Sequence, residues 1–269
     1  SLAGLGVRDL AMSVVTPEFD GRVLSRAFAF KTRGERDPAT GAFPVDYEAV
    51  PDRVRFVADL AAAHARLATT PAADKRIALV LANYPGKGGR IANGVGLDTP
   101  ASTVNILAAL AREGYKVAGA PADPAALMER LVAAHGAPPA RLPLARYRDW
   151  LETLPEAARR ALSDQWGAPQ DDPACDGDAF AIPAHVFGNA VVGVQPTRAY
   201  ERDPKATYHD PDLVPPHAYL AFYLWLREVF GAHAVVHVGK HGNMEWLPGK
   251  ALALSDTCWP EIAFGPTPH

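Results

Sequence analysis

The sequence has only two cysteines and no apolar stretch long enough to cross a membrane. Cys175 and Cys258 form no Cys-x-x-Cys pair, so they predict neither a disulfide framework nor a paired-cysteine metal site. Cys258, beside Trp259-Pro260, is expected to be a packed thiol. No run approaches the roughly 18 apolar residues of a membrane-spanning helix, and the first residues do not resemble a signal peptide. We therefore expect a cytoplasmic protein that does not enter a membrane.

The sequence has no strong excess of either charge and lacks the common phosphate-binding motifs. The chain has 27 lysines and arginines against 30 acidic residues, a net charge of −3, and no basic stripe, so nucleic acid is not expected as a partner. Neither G-x-x-x-x-G-K-[ST] nor G-x-G-x-x-G occurs in its glycine-rich loop, which disfavours a nucleotide phosphate site. What it has instead is 48% hydrophobic residues and 25 prolines, which predicts a packed core with long ordered loops.

Three segments of the sequence are typical of strands, and each is followed by a loop. The first two of these loops lead into segments typical of helices. Strands are predicted at 77–81, 189–195 and 235–238. Helices are predicted at 103–112 and 217–230. Such Rossmann-like β-loop-α-β units are typical of an α/β fold with mostly parallel sheets.

We expect two lobes around a cleft. The first spans residues 1–140 and the second residues 181–269, with helices and loops across 141–180 as the connection. Three loops follow predicted strands, at 83–99 in the first lobe and at 197–215 and 239–249 in the second. Because loops at the carboxyl ends of parallel strands emerge at one edge of a sheet, these three are expected to converge on one site.

The loop at 239–249 carries the densest set of chemically active side chains. His237 ends the preceding strand, and a helical turn over 241–247 would place His241 and Glu245 on one face. Two imidazoles and a carboxylate suit a divalent ion such as cobalt or zinc, or bases that take protons from a substrate. The alternative is that His237 only satisfies a backbone carbonyl. The spacing is not H-E-x-x-H, so a zincin protease is not indicated.

The two other loops are rich in polar and flexible residues. Five glycines lie between positions 86 and 96, and Asp98 or Thr99 can cap the following helix with Pro100 at its start, which creates a helix N-terminus that favours anions. The loop at 197–215 carries Arg198 and Lys205 among other charged residues. The alternatives are a long structural loop and a solvated charged loop.

Several stretches resemble one protein family. HVGKHGNMEWLPGKALALS, followed by CWPEIAFGPTPH, resembles the large subunit of cobaltochelatase, the CobN family, which is related to the H subunit of magnesium chelatase. RDLAMSVVTPEFDGRVLSR, NYPGKGGRIANGVGLDTPAS and TRAYERDPKATYHDPDLVPPH also resemble that family. Lys240 and Trp246 favour CobN, because the magnesium enzyme is expected to carry Thr-His-Gly and Glu-Phe-Met-Pro-Gly-Lys at these positions.

The resemblance implies a ligase that forms nitrogen–metal bonds in cobalamin (vitamin B12) biosynthesis. Its expected reaction is ATP-dependent insertion of divalent cobalt into hydrogenobyrinate a,c-diamide. The chain would bind the tetrapyrrole and insert the metal, while the partner subunits CobS and CobT would bind ATP-Mg and hydrolyse it. Family members are much longer, so we expect a central fragment that is inactive alone.

The expected site combines the resemblance with the three loops. His237, His241 and Glu245 are predicted as catalytic residues and metal ligands. Alternatives are a magnesium chelatase H subunit acting on protoporphyrin IX, a two-lobed ligand-binding module without chemistry, and a metal-dependent hydrolase using the same three residues. The residues expected to bind the substrate are Arg90, Asn93, Asp98, Arg198, Lys205, His209 and Lys240. The basic residues of this set are expected to pair with the acidic side chains of the substrate.

Overall fold

The computed structural model describes residues 6–22, 25–83, 91–136, 138–200, 210–240, 244–250 and 254–269. The strands are β1 Ala29–Arg33, β2 Val45–Ala49, β3 Ile77–Leu81, β4 Ala140–Pro143, β5 Cys175–Asp176, β6 Ala179–Ile182, β7 Ala184–Phe187, β8 Ala190–Val194 and β9 Ala234–Val238. The α-helices are α1 Val7–Leu10, α2 Thr16–Phe19, α3 Pro51–Thr69, α4 Thr99–Arg112, α5 Pro124–Gly136, α6 Leu144–Glu152, α7 Glu156–Trp166, α8 His217–Leu224 and α9 Trp259–Phe264. Two π-helical turns, Ala11–Val15 and Trp225–Val229, continue α1 and α8.

A four-stranded sheet in the order β7-β8-β3-β9 forms the centre of the fold. Strand β3 pairs in parallel with β8 and with β9, so that Leu81 lies opposite both Val194 and Val238. Every residue of β3 and β8 is buried, as expected for parallel strands covered on both faces. The predicted strands at 77–81, 189–195 and 235–238 are therefore confirmed, and so is the α/β class.

The expectation of mostly parallel sheets is not confirmed, because the other four strand pairs in the described residues are antiparallel. Strands β1 and β2 form a hairpin, β4-β6-β5 form an antiparallel sheet, and β7 runs antiparallel to β8. Two of these connections are tight turns at Gly177 and Gly188, which adopt φ of 65° and 69°. Turns this short join only antiparallel strands, whereas a parallel pair needs a long crossover.

The central sheet also combines the two predicted lobes. Strand β3 belongs to the first predicted lobe, yet it lies between β8 and β9 of the second. The connection expected across residues 141–180 therefore does not separate this sheet into two lobes. Beside this sheet, Val117 forms one isolated antiparallel bridge with Gly188.

Alternate residues of β3 face two separate cores. Ala78 and Val80 pack with α6, α7 and α8 on one side of the sheet. Leu79 and Leu81 pack with α4 and α5 on the other. Gly193 allows close approach on the first side, because a Cβ there would lie 2.7 Å from Cζ of Phe222. None of the helices in the described residues is both long and apolar enough to span a bilayer.

Candidate functional site

The carboxyl edge of the central sheet brings together the starts of the three predicted loops. Leu81, Val194 and Val238 are register partners at the ends of β3, β8 and β9, so the loops leave side by side as expected. Four predicted site residues lie outside the described residues, namely Arg90, Lys205, His209 and His241. The geometry below concerns the other predicted residues.

His237 lies one residue before the end of β9 and is held at both ring nitrogens. Its Nε2 is 2.8 Å from the hydroxyl oxygen of Tyr223, and its Nδ1 is 2.7 Å from Nε2 of His269. Burial, together with the neighbouring His269, lowers the pKa of His237 to about 4. His237 is therefore neutral at pH 7 and does not contact a backbone carbonyl through either nitrogen.

The directions of these hydrogen bonds follow from their donors. The Gln195 amide donates from Nε2 to the hydroxyl oxygen of Tyr223 at 2.6 Å and to that of Tyr219 at 3.1 Å. Because the Tyr223 oxygen accepts from Gln195, its own O–H is directed to Nε2 of His237. The remaining proton of the neutral imidazole is then on Nδ1, from which it is donated to His269. The result is a directed chain from Gln195 through Tyr223 and His237 to His269.

Sequence reasoning missed this chain of hydrogen bonds. The signal was a pair of tyrosines at i and i+4, Tyr219 and Tyr223, in the helix before β9, and a glutamine directly after the buried strand β8. Burial is the main cause that raises the pKa of both phenols, so both stay protonated at neutral pH. A polar group on a buried helix needs such a partner, and Gln195 is 1% exposed.

Glu245 and Lys240 lie on the described parts of the loop after β9, and both are exposed. Glu245 is in the 3₁₀ turn Met244–Trp246, the described part of the helical turn predicted over 241–247. Its charge contributes to raising the pKa of Tyr219 and Tyr223. The carboxylate is therefore close enough to the tyrosine pair for electrostatic coupling to the hydrogen-bond chain that includes Tyr223 and His237.

The described end of the glycine-rich loop is fixed to helix α4. Asp98 caps that helix as predicted, and its Oδ1 accepts from the backbone N–H of Ala101 at 3.0 Å. The buried Thr99 hydroxyl donates to the carbonyl of Ala92, a residue in the left-handed region with φ of 62°. Asn93 beside them is exposed. The loop therefore reaches the helix in a fixed conformation and presents Asn93 and Asp98 at its surface.

Arg198, which was predicted to contact the substrate, is hydrogen-bonded to carbonyls of its own loop. Its side chain is buried, at 1% exposure, and Nη2 donates to the backbone carbonyls of Asp210 at 3.0 Å and Leu213 at 3.5 Å. Position in a polar loop suggested a surface cation, but a guanidinium has enough donors to hold several loop carbonyls at once. In this structure Arg198 braces its own loop.

Asp172 is a second loop anchor, and sequence reasoning missed it within a polar segment. It is 5% exposed. Its carboxylate accepts from the Tyr200 hydroxyl at 2.8 and 3.0 Å and from the backbone N–H of Ala218 at 3.1 Å. It thus ties the loop after β8 to the first turn of helix α8.

A cavity of about 380 Å³ lies beside this anchor, a size within the range of small-molecule sites. It reaches the carboxyl edge, because Asn83 follows β3, and Pro196 and Thr197 follow β8. Its described lining includes Asn83, Pro196, Thr197, Tyr200 and Ala218. The carboxyl edge of the central sheet therefore offers a concave surface as well as the hydrogen-bond chain that contains His237.

A metal centre is not assembled by the described residues alone. In the ranges that the structure covers, no group of three His, Cys, Asp or Glu side chains could hold a metal ion, and His241 lies outside these ranges. Cys258 is a packed thiol as predicted: it is 2% exposed, and its Sγ accepts from the backbone N–H groups of Lys250 and Ser255 at 3.4 and 3.3 Å.

Comparison with known proteins gives a consistent result. A family model described as CobN/Magnesium Chelatase matches residues 1–269. The chain is 51% identical to an aerobic cobaltochelatase subunit CobN from Sinorhizobium sp., over 99% of this chain and 21% of that protein. It is 31% identical to the H subunit of a magnesium chelatase from Rhodobacter capsulatus, over 99% of this chain and 23% of that protein.

A solved structure also matches. It is the catalytic subunit of a cobaltochelatase from Mycobacterium tuberculosis, with a TM-score of 0.85 and 44% identity, covering 100% of this chain and 23% of that one. The chain thus spans less than a quarter of the length of each of these relatives.

Proposed function

Because the chain belongs to the CobN/magnesium chelatase family, we propose that it is the tetrapyrrole-binding, metal-inserting part of an aerobic-type cobaltochelatase. The proposed reaction inserts divalent cobalt into hydrogenobyrinate a,c-diamide. Identity of 51% to a cobaltochelatase protein against 31% to a magnesium-chelatase protein supports cobalt over magnesium. Lys240 and Trp246, in the stretch that resembles CobN, support the same choice.

The observation that carries this proposal is a neutral, fully hydrogen-bonded His237 at the edge where three ligand-type loops start. Insertion of a divalent ion removes two N–H protons from the macrocycle, and the ion must approach without repulsion. An imidazole with a pKa of about 4 carries no charge at pH 7, so it does not repel a dication. A metal bond at either ring nitrogen would displace Tyr223 or His269, so we assign His237 to positioning and proton transfer.

The exposed loop residues supply the remaining roles in the proposal. Glu245 accepts a pyrrole proton on its carboxylate and balances part of the charge of the ion. His241 takes the second proton or holds the ion. Lys240, Arg90 and Lys205 pair with the acidic side chains of the substrate, and the polar residues Asn93, Asp98 and His209 face it.

ATP hydrolysis is proposed to belong to the partner subunits CobS and CobT, which act with this chain in the cytoplasm. The support is the lack of either common phosphate-loop pattern in the glycine-rich segment. Conformational work from those partners would then be transmitted to a site that this chain provides without binding ATP-Mg.

Tetrapyrrole binding by the isolated chain tests the proposal. Absorbance titrations with hydrogenobyrinate a,c-diamide and with protoporphyrin IX should show saturable binding of the first and weaker binding of the second. Preference for protoporphyrin IX would indicate the magnesium chelatase branch instead. Binding without cobalt insertion in the presence of CobS, CobT and ATP would indicate a binding module, and no binding of either compound would contradict the proposal.

A further inference from the structure

Arg227 is a half-buried cation whose guanidinium has no ionic partner in the described part of the chain. It lies on the π-helical turn Trp225–Val229, and its Nε and Nη2 are buried and make no hydrogen bond there. Burial lowers the pKa of Arg227 to about 10, so the side chain stays charged at pH 7. An unpaired buried charge is unfavourable, which suggests that the group has a ligand.

Asp52, Asp59, Asp256 and Glu261 line a second cavity that Arg227 also borders, but no described carboxylate forms an ion pair with its guanidinium. The two carboxylate oxygens of Glu261 bind Arg53 at 2.6 Å and Arg26 at 3.0 Å. The Glu228 carboxylate lies 3.4 Å from Arg146. The described contact of the Arg227 guanidinium is with the ring of Trp150, 5.9 Å from its centroid.

The backbone makes room for the guanidinium at Gly265. That residue has φ of 62°, and a Cβ there would collide with Nη1 of Arg227. Glycine often allows the backbone to approach a charged group closely. The π-helical turn that carries Arg227 is a second feature that is frequent at functional sites.

A cavity of about 210 Å³ lies beside this guanidinium and is lined by basic groups. Arg66 and His233 line it together with Arg227, and no acidic side chain is among its described lining residues. The Nδ1 of His233 accepts from the backbone N–H of Arg76 at 2.9 Å, so in the neutral ring the proton is on Nε2 and available to a ligand. The other described walls are Ala63, Ala232, Pro266, Thr267 and Pro268.

The neighbourhood also has a positive potential. Burial, followed by the charges of Arg76, Arg66 and Lys75, lowers the pKa of His233. A cavity with this potential, lined by three basic side chains and by no described acidic one, favours an anion. Since a water molecule occupies about 30 Å³, the volume suits a phosphate-sized group with a few waters and is too small for a tetrapyrrole.

This cavity is separate from the candidate functional site. His233 directly precedes β9 and Arg76 directly precedes β3, so the cavity lies at the amino edge of the central sheet. The five-residue strand β9 spans roughly 13 Å at about 3.3 Å per residue. We propose that the cavity is an oxyanion-binding site that holds a phosphate or carboxylate group through Arg227, Arg66 and His233.

The test follows the Nε–Hε signal of Arg227 in ¹⁵N-correlated NMR spectra of the 269-residue chain. Inorganic phosphate or acetate is added at constant ionic strength, with chloride as the reference salt. We expect a saturable shift of this signal by at least one oxyanion and none by chloride. A response to phosphate alone indicates a phosphorylated ligand, and an equal response to acetate indicates a carboxylate.

Variants distinguish a built site from general attraction to a basic surface. Arg66→Gln should weaken oxyanion binding by roughly tenfold, the value of one charge-assisted bond, while the exposed Arg160→Gln should leave it unchanged. Arg227→Lys keeps the charge but loses the planar fork, so binding should weaken in a folded protein. Because this variant lacks the Arg227 Nε–Hε group, its binding is followed on the ring signals of His233. The absence of a saturable shift for both oxyanions, or an equal loss in the Arg160 variant, would overturn the proposal.

Discussion

The hydroxyl of Tyr223 donates to Nε2 of His237 across 2.8 Å and links the helix before β9 to the end of that strand. The bond fixes the orientation of the imidazole at the carboxyl edge, and it leaves the Nδ1 proton to face His269. A histidine that ends a strand is thereby converted from a freely rotating group into a ring with one defined tautomer. The proposed chelatase site depends on this arrangement.

Tyr223→Phe removes the hydroxyl and should release the tautomer of His237. We expect the native fold, a loss of about 1–2 kcal/mol in the free energy of unfolding, and a mixture of Nδ1–H and Nε2–H tautomers. Long-range ¹H–¹⁵N NMR spectra of the histidine rings measure this directly. The control is Tyr47→Phe on the exposed strand β2, where Tyr47 is 69% exposed. An unchanged tautomer would show that Tyr223 does not orient the ring.

His217 should make the stability depend on pH below the ordinary histidine range. The ring is buried, with Nδ1 2.9 Å from the Tyr147 hydroxyl and Nε2 3.2 Å from the Gly167 carbonyl, and burial lowers its pKa. The unfolded chain therefore binds a proton at this group more readily than the folded chain. The stabilisation is fully present above the unfolded pKa of about 6.5 and is lost as the pH falls below it.

The comparison of wild type with His217→Gln isolates this contribution from the other histidines. Urea unfolding should show a difference in stability at pH 7 that narrows as the pH is lowered to about 5. A difference that stays constant over this range would mean that the pKa of His217 is not lowered in the folded protein.

Local sequence rules predicted the centre of the fold well. The β-branched and apolar runs around 77–81 and 235–238 favour a strand over any other local structure. Asp98 is followed by Thr99 and Pro100, which are typical of the first turn of a helix. These elements are decided by neighbours in the sequence. Residues 10–15 also form a largely apolar run but are helical, because the apolar residues do not alternate with polar ones, and Leu, Ala and Met favour helix.

The site was predicted only at the level of its loops. The convergence at one edge followed from the parallel order of strands, whereas the partners of His237 depend on contacts between residues 14 and 32 positions apart. Arg198 and Asp172 show the same limit. Both lie in polar segments that suggested solvent exposure, and their burial depends on how distant loops pack against one another.

Asp172→Asn should loosen the loop after β8. The substitution removes the charge that strengthens the hydrogen bonds from Tyr200 and from the first turn of α8, so we expect a loss of roughly 2–3 kcal/mol. Faster limited proteolysis within residues 195–216 should accompany it. The matched control is Asp171→Asn at the adjacent exposed position. Equal stability and equal cleavage in both variants would show that Asp172 does not hold the loop.

Glu245→Gln is the sharpest test of the proposed chemistry. The change keeps the size of the side chain but removes the carboxylate that accepts a pyrrole proton and balances the charge of the ion. Because Glu245 is exposed, its loss should not unfold the chain. We expect cobalt insertion by the assembled complex to be abolished, while affinity for hydrogenobyrinate a,c-diamide stays within a few-fold of wild type.

The control for this variant is Glu129→Gln on the exposed face of α5, which should insert cobalt at the normal rate. A tetrapyrrole absorbance titration and a cobalt-insertion assay on the same preparations separate binding from chemistry. A normal insertion rate in the Glu245 variant would assign this residue a structural role, and the proton acceptor would then have to be another group at the edge. Loss of binding together with insertion would instead place Glu245 among the groups that hold the macrocycle.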